Sequence, residues 1–219
     1  SLLALLDSLR RTVRALAPRR APSEWADYER THAYAEESQR AKEQVVARWL
    51  ERLRPRQAWD LGANVGRFSR IAASGGAYVV SFDVDPAVVE EAYRRGRGES
   101  RRDLLPLVLD LANPSPGLGW EGRERCPLEA RGPADALLAL ALVHHLAIGR
   151  NVPLPRIAAW MARLGRAAIV EFVPKDDPQA RRLLRSRRDV FAGYTREGFE
   201  AAFGAAFSLE ASEELPGSG

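Results

Sequence analysis

The chain has 219 residues, of which 46% are hydrophobic and 28% are charged, and its 33 basic and 29 acidic residues give a net charge of +4. This length leaves room for one α/β domain with a short extension. The basic balance is compatible with a nucleic-acid partner, but Lys42 and Lys175 are the only lysines, and we attribute the arginines to composition bias instead. The single Cys126 excludes an intramolecular disulfide and a cysteine-rich zinc site, and we expect its thiol to be at least half-buried.

Residues 1–36 are predicted to form a helical extension, and residues 37–219 to form the α/β domain. The segment SLLALLDSLRRTVRALAPRRAP begins as an amphipathic helix that Pro18 and Pro22 bring to an end. Neither this segment nor the apolar run ADALLALALV is long enough to span a membrane, and no secretory signal is visible. The sequence therefore predicts a cytoplasmic protein without a membrane partner. Because the chain lacks an initiator methionine, we interpret it as either an excised domain or a trimmed chain.

The domain shows alternating helix and strand signals, which are typical of a parallel sheet with helices on both faces. A helix with an apolar stripe is predicted over 37–53, and further helices begin near Val65, at Pro86 with Asp85 as N-cap, and after Thr195. Strands are predicted over 57–61, 77–83, 104–110, 135–142, 167–173 and 207–211.

The most informative motif follows the first predicted strand. The loop WDLGANVGRFS presents Asp60, Gly62, Asn64 and Gly66, and Asp83 follows about 20 residues beyond its first glycine. A dinucleotide-binding loop requires a second glycine where this chain has Asn64, because its backbone must approach a pyrophosphate. Asparagine tolerates a left-handed turn, so the loop still turns into a helix whose free N–H groups suit a carboxylate. The loop therefore favours a nucleoside cofactor without a pyrophosphate.

This D-x-G-x-N-x-G loop resembles motif I of class I S-adenosylmethionine (AdoMet) dependent methyltransferases. The resemblance implies a Rossmann-like, doubly wound, mostly parallel sheet. It also implies that Asp60 meets the ammonium group of AdoMet, that Asp83 binds the ribose hydroxyls, and that Asp110 binds the adenine amine. Val84 and Leu111 would flank the adenine, and the alternative for Asp110 is a turn cap. The implied cofactor-binding residues are Tyr34, Lys42, Asp60, Gly62, Asn64, Gly66, Asp83, Val84, Asp110 and Leu111.

Four longer segments carry a more specific resemblance. They are LPLVLDLANPSPGLGWEGRER, LALALVHHLAIGRNVPL, EFVPKDD and DVFAGYTREGFEAAF. These are similar to a bacterial group of nodulation-type methyltransferases, in which the methyltransferase half follows a separate N-terminal region. This implies an N-terminal domain of the same longer protein as a partner. It also implies a final antiparallel strand, which the end of this chain lacks.

Candidate catalytic residues follow the fourth and fifth predicted strands. His144 and His145 can deprotonate or orient an acceptor hydroxyl or amine, although one of the two rings can instead serve only in packing. Glu171 faces the same edge and can form an acid/base pair with His145 or half of a metal site. We predict no metal, because the chain has three histidines and no ligand spacing typical of zinc.

Two further segments are candidates for contact with ligands. Tyr28 and Tyr34, before the first strand, can close over the methionine end of AdoMet as a lid, with Lys42 reaching its carboxylate; ordinary packing is the alternative. The long loop 113–131 carries Trp120 and several arginines, which can stack on a planar or sugar substrate or simply anchor an exposed loop.

The sequence thus predicts an AdoMet-dependent methyltransferase that transfers a methyl group to an oxygen or nitrogen nucleophile of a small-molecule or glycan-like acceptor. Two alternatives stay open. One is an RNA or protein methyltransferase, and the other is a non-catalytic AdoMet-binding domain that serves a partner module.

Overall fold

The structure is a computed structural model that describes residues 2–16, 33–185 and 187–215, with the backbone alone described for 33–37. Its helices and strands are, in chain order, α1 (Leu2–Ala15), α2 (Ala33–Leu53), β1 (Gln57–Leu61), α3 (Arg67–Ser74), β2 (Tyr78–Asp83), α4 (Pro86–Gly98), β3 (Leu104–Val108), β4 (Ala134–Ala139), α5 (Leu154–Leu164), β5 (Gly165–Val170), α6 (Pro178–Leu184) and α7 (Arg196–Gly204).

The five strands form one parallel sheet in the order β3-β2-β1-β4-β5. This confirms the predicted doubly wound architecture. The direction in which strands are added reverses between β1 and β4, so the carboxyl ends of these two strands border a crevice. Ligands of open α/β sheets bind in such a crevice.

Helices cover the sheet on both faces. On one face, Val46 and Leu50 of α2 and Ala72 of α3 pack against Ala58 and Val79 of the sheet. The opposite face packs against α5, α6 and α7, and its central residues are Trp59, Phe82, Leu137, Ile157, Met161 and Phe203. The rings of Trp59 and Phe82 meet edge to face, with centroids 5.6 Å apart. The helices on both faces thus fix the positions of the strands whose carboxyl ends carry Asp60 and Asp83.

The predicted helix caps are confirmed. Asp85 Oδ1 accepts a hydrogen bond from the Ala87 amide at 2.8 Å, with Pro86 in the first turn of α4. Thr195 Oγ1 accepts from the Gly198 amide at 3.1 Å and starts α7. Such caps satisfy amides that have no partner within the helix.

Two predictions are wrong. No strand forms over 207–211, although this segment is described: the Phe207 amide instead donates to Phe203 O at 2.8 Å, and Leu209 is 75% exposed. A strand needs a ladder partner, and this segment does not pair with β5. Cys126 is exposed rather than buried, because it lies in the open connection between β3 and β4.

Among the described residues, no helix is both long enough and apolar enough to cross a membrane.

Candidate functional site

The glycine loop after β1 has the left-handed turns that its sequence predicted. Gly62, Asn64 and Gly66 have φ angles of 76°, 50° and 75°. A Cβ atom at Gly62 would also lie 3.1 Å from Leu142 Cδ1, in the segment that follows β4. The glycines are therefore required by backbone conformation, and Asn64 is the non-glycine residue that this conformation admits.

Asp83 fastens this loop to the end of β2. Its Oδ2 accepts a hydrogen bond from the Asn64 amide at 2.8 Å, and its Oδ1 accepts from the Asp85 amide at 3.0 Å. Burial raises the pKa of the Asp83 carboxyl above its ordinary value, and the hydrogen bonds from the two amides oppose that rise. Each carboxylate oxygen still has lone pairs for a ligand hydroxyl.

Asp60 lies at the floor of the crevice and is only 2% exposed. Ser69 Oγ donates a hydrogen bond to its Oδ2 at 2.5 Å. The pKa of Asp60 is raised to about 6, mainly by burial and also by the charge of Asp83, while hydrogen bonds from Ser69 and the charge of Lys42 oppose the rise. A buried carboxylate with this environment is stabilised by a cation beside it.

A histidine turn, residues 141–151, follows β4. Ala141 has a φ of 50°, and His145 begins a π-helix, His145–Gly149, a rare element that is frequent at functional sites. His144 is 2% exposed, and neither of its ring nitrogens has a hydrogen-bond partner among the described residues. Its ring centroid lies 4.1 Å from that of His145. The turn therefore buries one imidazole beneath the other.

Burial favours the neutral form of both imidazoles. Burial lowers the pKa of His144 to about 3, with smaller contributions from His145 and Lys42. Burial also lowers the pKa of His145 below its ordinary value. Because His145 is the more exposed of the two, it is the imidazole that a ligand in the crevice can reach.

Glu171, just after β5, joins three elements. Its Oε2 accepts from the Ala141 amide at 2.5 Å and from Lys42 Nζ of α2 at 2.7 Å. The ion pair is mostly buried, with the Lys42 and Glu171 side chains 14% and 17% exposed, and the ammonium lies 5.2 Å from the Phe68 ring centroid. Glu171 thus stabilises the left-handed conformation of Ala141, the first residue of the histidine turn, by accepting a hydrogen bond from its amide.

The far end of the histidine turn is held by two arginines. Arg187 Nη1 donates to Ile148 O at 2.5 Å, and its Nη2 donates to Gly149 O at 3.4 Å. Arg150 Nη2 lies 3.3 Å from Asp110 Oδ2, while Asp110 Oδ1 accepts from the Ala112 amide at 2.9 Å. Asp110 is therefore both a turn cap and a link between the end of β3 and the histidine turn.

The remaining predicted residues differ in burial, and some of them lie outside the described part of the chain. Leu111 is 8% exposed and Val84 is 50% exposed. Tyr28 and the Tyr34 side chain lie outside the described residues. Trp120 is 80% exposed at the tip of a short hairpin closed by Leu118 and Arg125. Among the described residues, no three His, Cys, Asp or Glu side chains are placed to hold a metal ion.

The sheet, the glycine loop and the acids at the strand ends define a Rossmann-like fold of the class I methyltransferase type. Among solved structures, the bifunctional kinase-methyltransferase WbdD matches 77% of this chain and 37% of its own, with a TM-score of 0.50 at 20% identity. Magnesium protoporphyrin IX methyltransferase from Synechocystis PCC 6803, solved with bound SAH, covers 77% of this chain and 68% of its own, with a TM-score of 0.48 at 20% identity.

In sequence, the chain is similar to Nodulation protein NoeA of Rhizobium meliloti (strain 1021), with 40% identity over 197 residues. This similarity covers 90% of the chain but 41% of the length of NoeA, so the chain spans less than half of that relative. No family model matches the chain. The resemblance to nodulation-type proteins is thus confirmed over 90% of the chain.

The buried ion pair gives a first testable prediction. Glu171→Ala should lower the free energy of unfolding by about 3 kcal/mol, because it leaves a buried ammonium and a buried amide without their partner. Glu171→Gln keeps an acceptor for the Ala141 amide and should lose about half as much. Chemical denaturation of Lys42→Met, Glu171→Gln and the double variant should show strong coupling between the two sites; purely additive losses would contradict the pairing.

Proposed function

We propose that the chain is an AdoMet-dependent methyltransferase that methylates an oxygen or nitrogen nucleophile of a small-molecule or glycan-like acceptor. The observation that supports this most is the crevice between β1 and β4, where a left-handed glycine loop, Asp83 bonded to that loop and the buried Asp60 come together. AdoMet would supply an electrophilic methyl group on its sulfonium. The protein would bind AdoMet and the acceptor, align the methyl group with the acceptor atom, and exclude water.

The residues present fit this cofactor. The buried carboxylate of Asp60 would bind the ammonium of the methionine moiety, and Asp83 would accept hydrogen bonds from the ribose hydroxyls. Asp110 would accept from the adenine amine, with Val84 and Leu111 beside the base. The loop residues Gly62, Asn64 and Gly66 would shape the cavity, and Tyr34 and Lys42 would contribute at the methionine end.

We propose different roles for the two histidines. His145, neutral and partly exposed, would accept the proton of the acceptor hydroxyl or amine at its imidazole ring. His144 would support that ring from below, because its own nitrogens are buried and have no partner within residues 38–185 and 187–215. Glu171, held by Lys42 and the Ala141 amide, would position the turn that carries both histidines.

The pH dependence of cofactor binding tests the role of Asp60. A carboxylate with a pKa of about 6 is charged above pH 6 and protonated below it, so its attraction for an ammonium is present above pH 6 and lost as the pH falls through 6. We expect the affinity for AdoMet, measured by titration calorimetry, to fall by up to about tenfold per pH unit below 6.

Asp60→Asn is the matched control for this experiment. It keeps an acceptor for Ser69 but has no charge, so its affinity should be about 30-fold lower at pH 7.5 and nearly constant between pH 5 and 7.5. An unaltered pH profile in Asp60→Asn would remove Asp60 from the cofactor site.

A further inference from the structure

The π-helix that carries His145 ends in backbone carbonyls that need hydrogen-bond donors. The last carbonyls of a helix find no partner inside the helix and must be satisfied from outside it. Leu146 O accepts from the amides of Arg150 and Val152 at 3.2 and 3.0 Å, which closes the end of the turn. The carbonyls of the last two residues, the fully buried Ile148 and Gly149, accept from a guanidinium instead.

This guanidinium belongs to Arg187, in the connection between α6 and α7. Its Nη1 donates to Ile148 O at 2.5 Å and to Asn151 Oδ1 at 3.3 Å, and its Nη2 donates to Gly149 O at 3.4 Å. Within the described residues, each hydrogen bond of this guanidinium therefore goes to the histidine turn. A basic side chain that bonds the last carbonyls of a helix stabilises the helix end.

The backbone that carries Arg187 is tied to the end of β5. Tyr194 is buried, and its hydroxyl donates to Val173 O at 2.8 Å. Lys175 Nζ donates to both carboxylate oxygens of Asp189, two residues beyond Arg187, at 3.0 and 2.9 Å. These contacts fasten the connection between α6 and α7 to residues that follow β5, so Arg187 reaches the turn from an anchored segment.

The histidine turn is thus held at both ends by groups that suit its backbone. At its start, the Glu171 carboxylate accepts from the Ala141 amide, and at its far end the Arg187 guanidinium donates to carbonyls. Glu171 is the first residue after β5, so both supports depend on the segment that follows this strand. His145 lies between the two supports, and the position of its ring depends on both.

We propose that Arg187 is a positioning residue that holds the imidazole of His145 at the crevice. This role rests on the proposed function, in which His145 accepts a proton from the acceptor. Loss of the guanidinium would leave the carbonyls of Ile148 and Gly149 without these donors, and the turn could move. Proton transfer is sensitive to such movement, because the base must lie within hydrogen-bond distance of the proton that it accepts.

The next residue in the chain provides a matched control. Arg188 is exposed and carries the same charge as Arg187. A role that depends only on the positive charge of this basic run would be shared by both arginines, whereas hydrogen bonds to the turn assign the role to Arg187. Replacement by Met removes the charge and the donors from either residue but keeps a long side chain, so Arg187→Met and Arg188→Met distinguish the two cases.

The imidazole nitrogen NMR spectrum of the full chain tests this role without methyl transfer. The chain has three histidines, and the signals of His145 are identified by their absence in His145→Asn. We expect Arg187→Met to shift and broaden these signals and Arg188→Met to leave them in place. Arg187→Lys should restore them in part, since an ammonium can donate to a carbonyl but lacks the planar fork. Circular dichroism checks folding; if Arg187→Met is unfolded, Arg187→Lys and Arg188→Lys form the same comparison.

Kinetics then show whether the position of His145 serves the reaction. Arg187→Met should lower kcat by about 10- to 100-fold, while the affinity for AdoMet and the KM of the acceptor change little. Arg188→Met should retain kcat. Unshifted His145 signals or an unchanged kcat in Arg187→Met would overturn the role of Arg187, and so would an equal loss in Arg188→Met. Absence of methyl transfer in the unaltered chain would contradict the proposed function instead, and the His145 signals would still show whether Arg187 holds the ring.

Discussion

Replacing His145 by Asn should lower kcat for methyl transfer by about 10²- to 10⁴-fold, because a general base contributes on this scale. Asn keeps a polar side chain of similar size but cannot accept a proton near neutral pH. The affinity for AdoMet should change little, since we assign His145 to the acceptor and not to the cofactor. The measurement is the release of S-adenosylhomocysteine with the first acceptor found in a screen of hydroxyl- and amine-bearing small molecules and oligosaccharides.

The neighbouring histidine is the matched control. His144→Leu places an apolar side chain of similar volume beneath His145, and it removes two ring nitrogens that have no hydrogen-bond partner in the described part of the chain. We expect it to lose much less activity than His145→Asn. If His144→Leu abolished turnover while His145→Asn remained active, the two assigned roles would have to be exchanged.

Asp83→Ala should weaken AdoMet binding by about 2–3 kcal/mol. The variant loses the acceptor for the ribose hydroxyls and also the two hydrogen bonds that fasten the glycine loop to the end of β2, at 2.8 and 3.0 Å. The structure thus predicts a larger effect than the loss of one ligand contact. Titration calorimetry measures the affinity for AdoMet. Thermal unfolding without ligand measures the stability lost when the glycine loop is no longer bonded to the end of β2.

Asp83→Asn separates these two contributions. The amide oxygen can still accept from one backbone amide, so the stability without ligand should recover in part, while the affinity should stay reduced because the charge is absent. Unchanged affinity in both variants would remove Asp83 from the site.

Much of the fold could be predicted because its signals are local. The strand β1 and the caps Asp85 and Thr195 follow from turn residues and N-cap chemistry in short windows. The left-handed Asn64 follows from the glycine pattern around it. The parallel sheet then follows from the alternation of elements, and it determines which strand ends share an edge.

The contacts that hold the histidine turn could not be predicted, because they join residues far apart in the chain. Lys42 and Glu171 are separated by 129 positions, and Arg187 reaches Ile148 across 39. Arg187 lies in a basic run that has the pattern of a solvated helix face, so nothing local distinguishes it. The wrong strand at 207–211 has the same cause, since a strand pattern forms no strand where no partner edge receives it.

Titration calorimetry of the unaltered chain with AdoMet and with S-adenosylhomocysteine tests the central claim most directly. We predict saturable binding of both at one site per chain, weakened in Asp60→Asn and Asp83→Ala, and no binding of NAD, because Asn64 stands where a dinucleotide loop needs glycine. The absence of binding of either nucleoside at millimolar concentration would contradict the assignment.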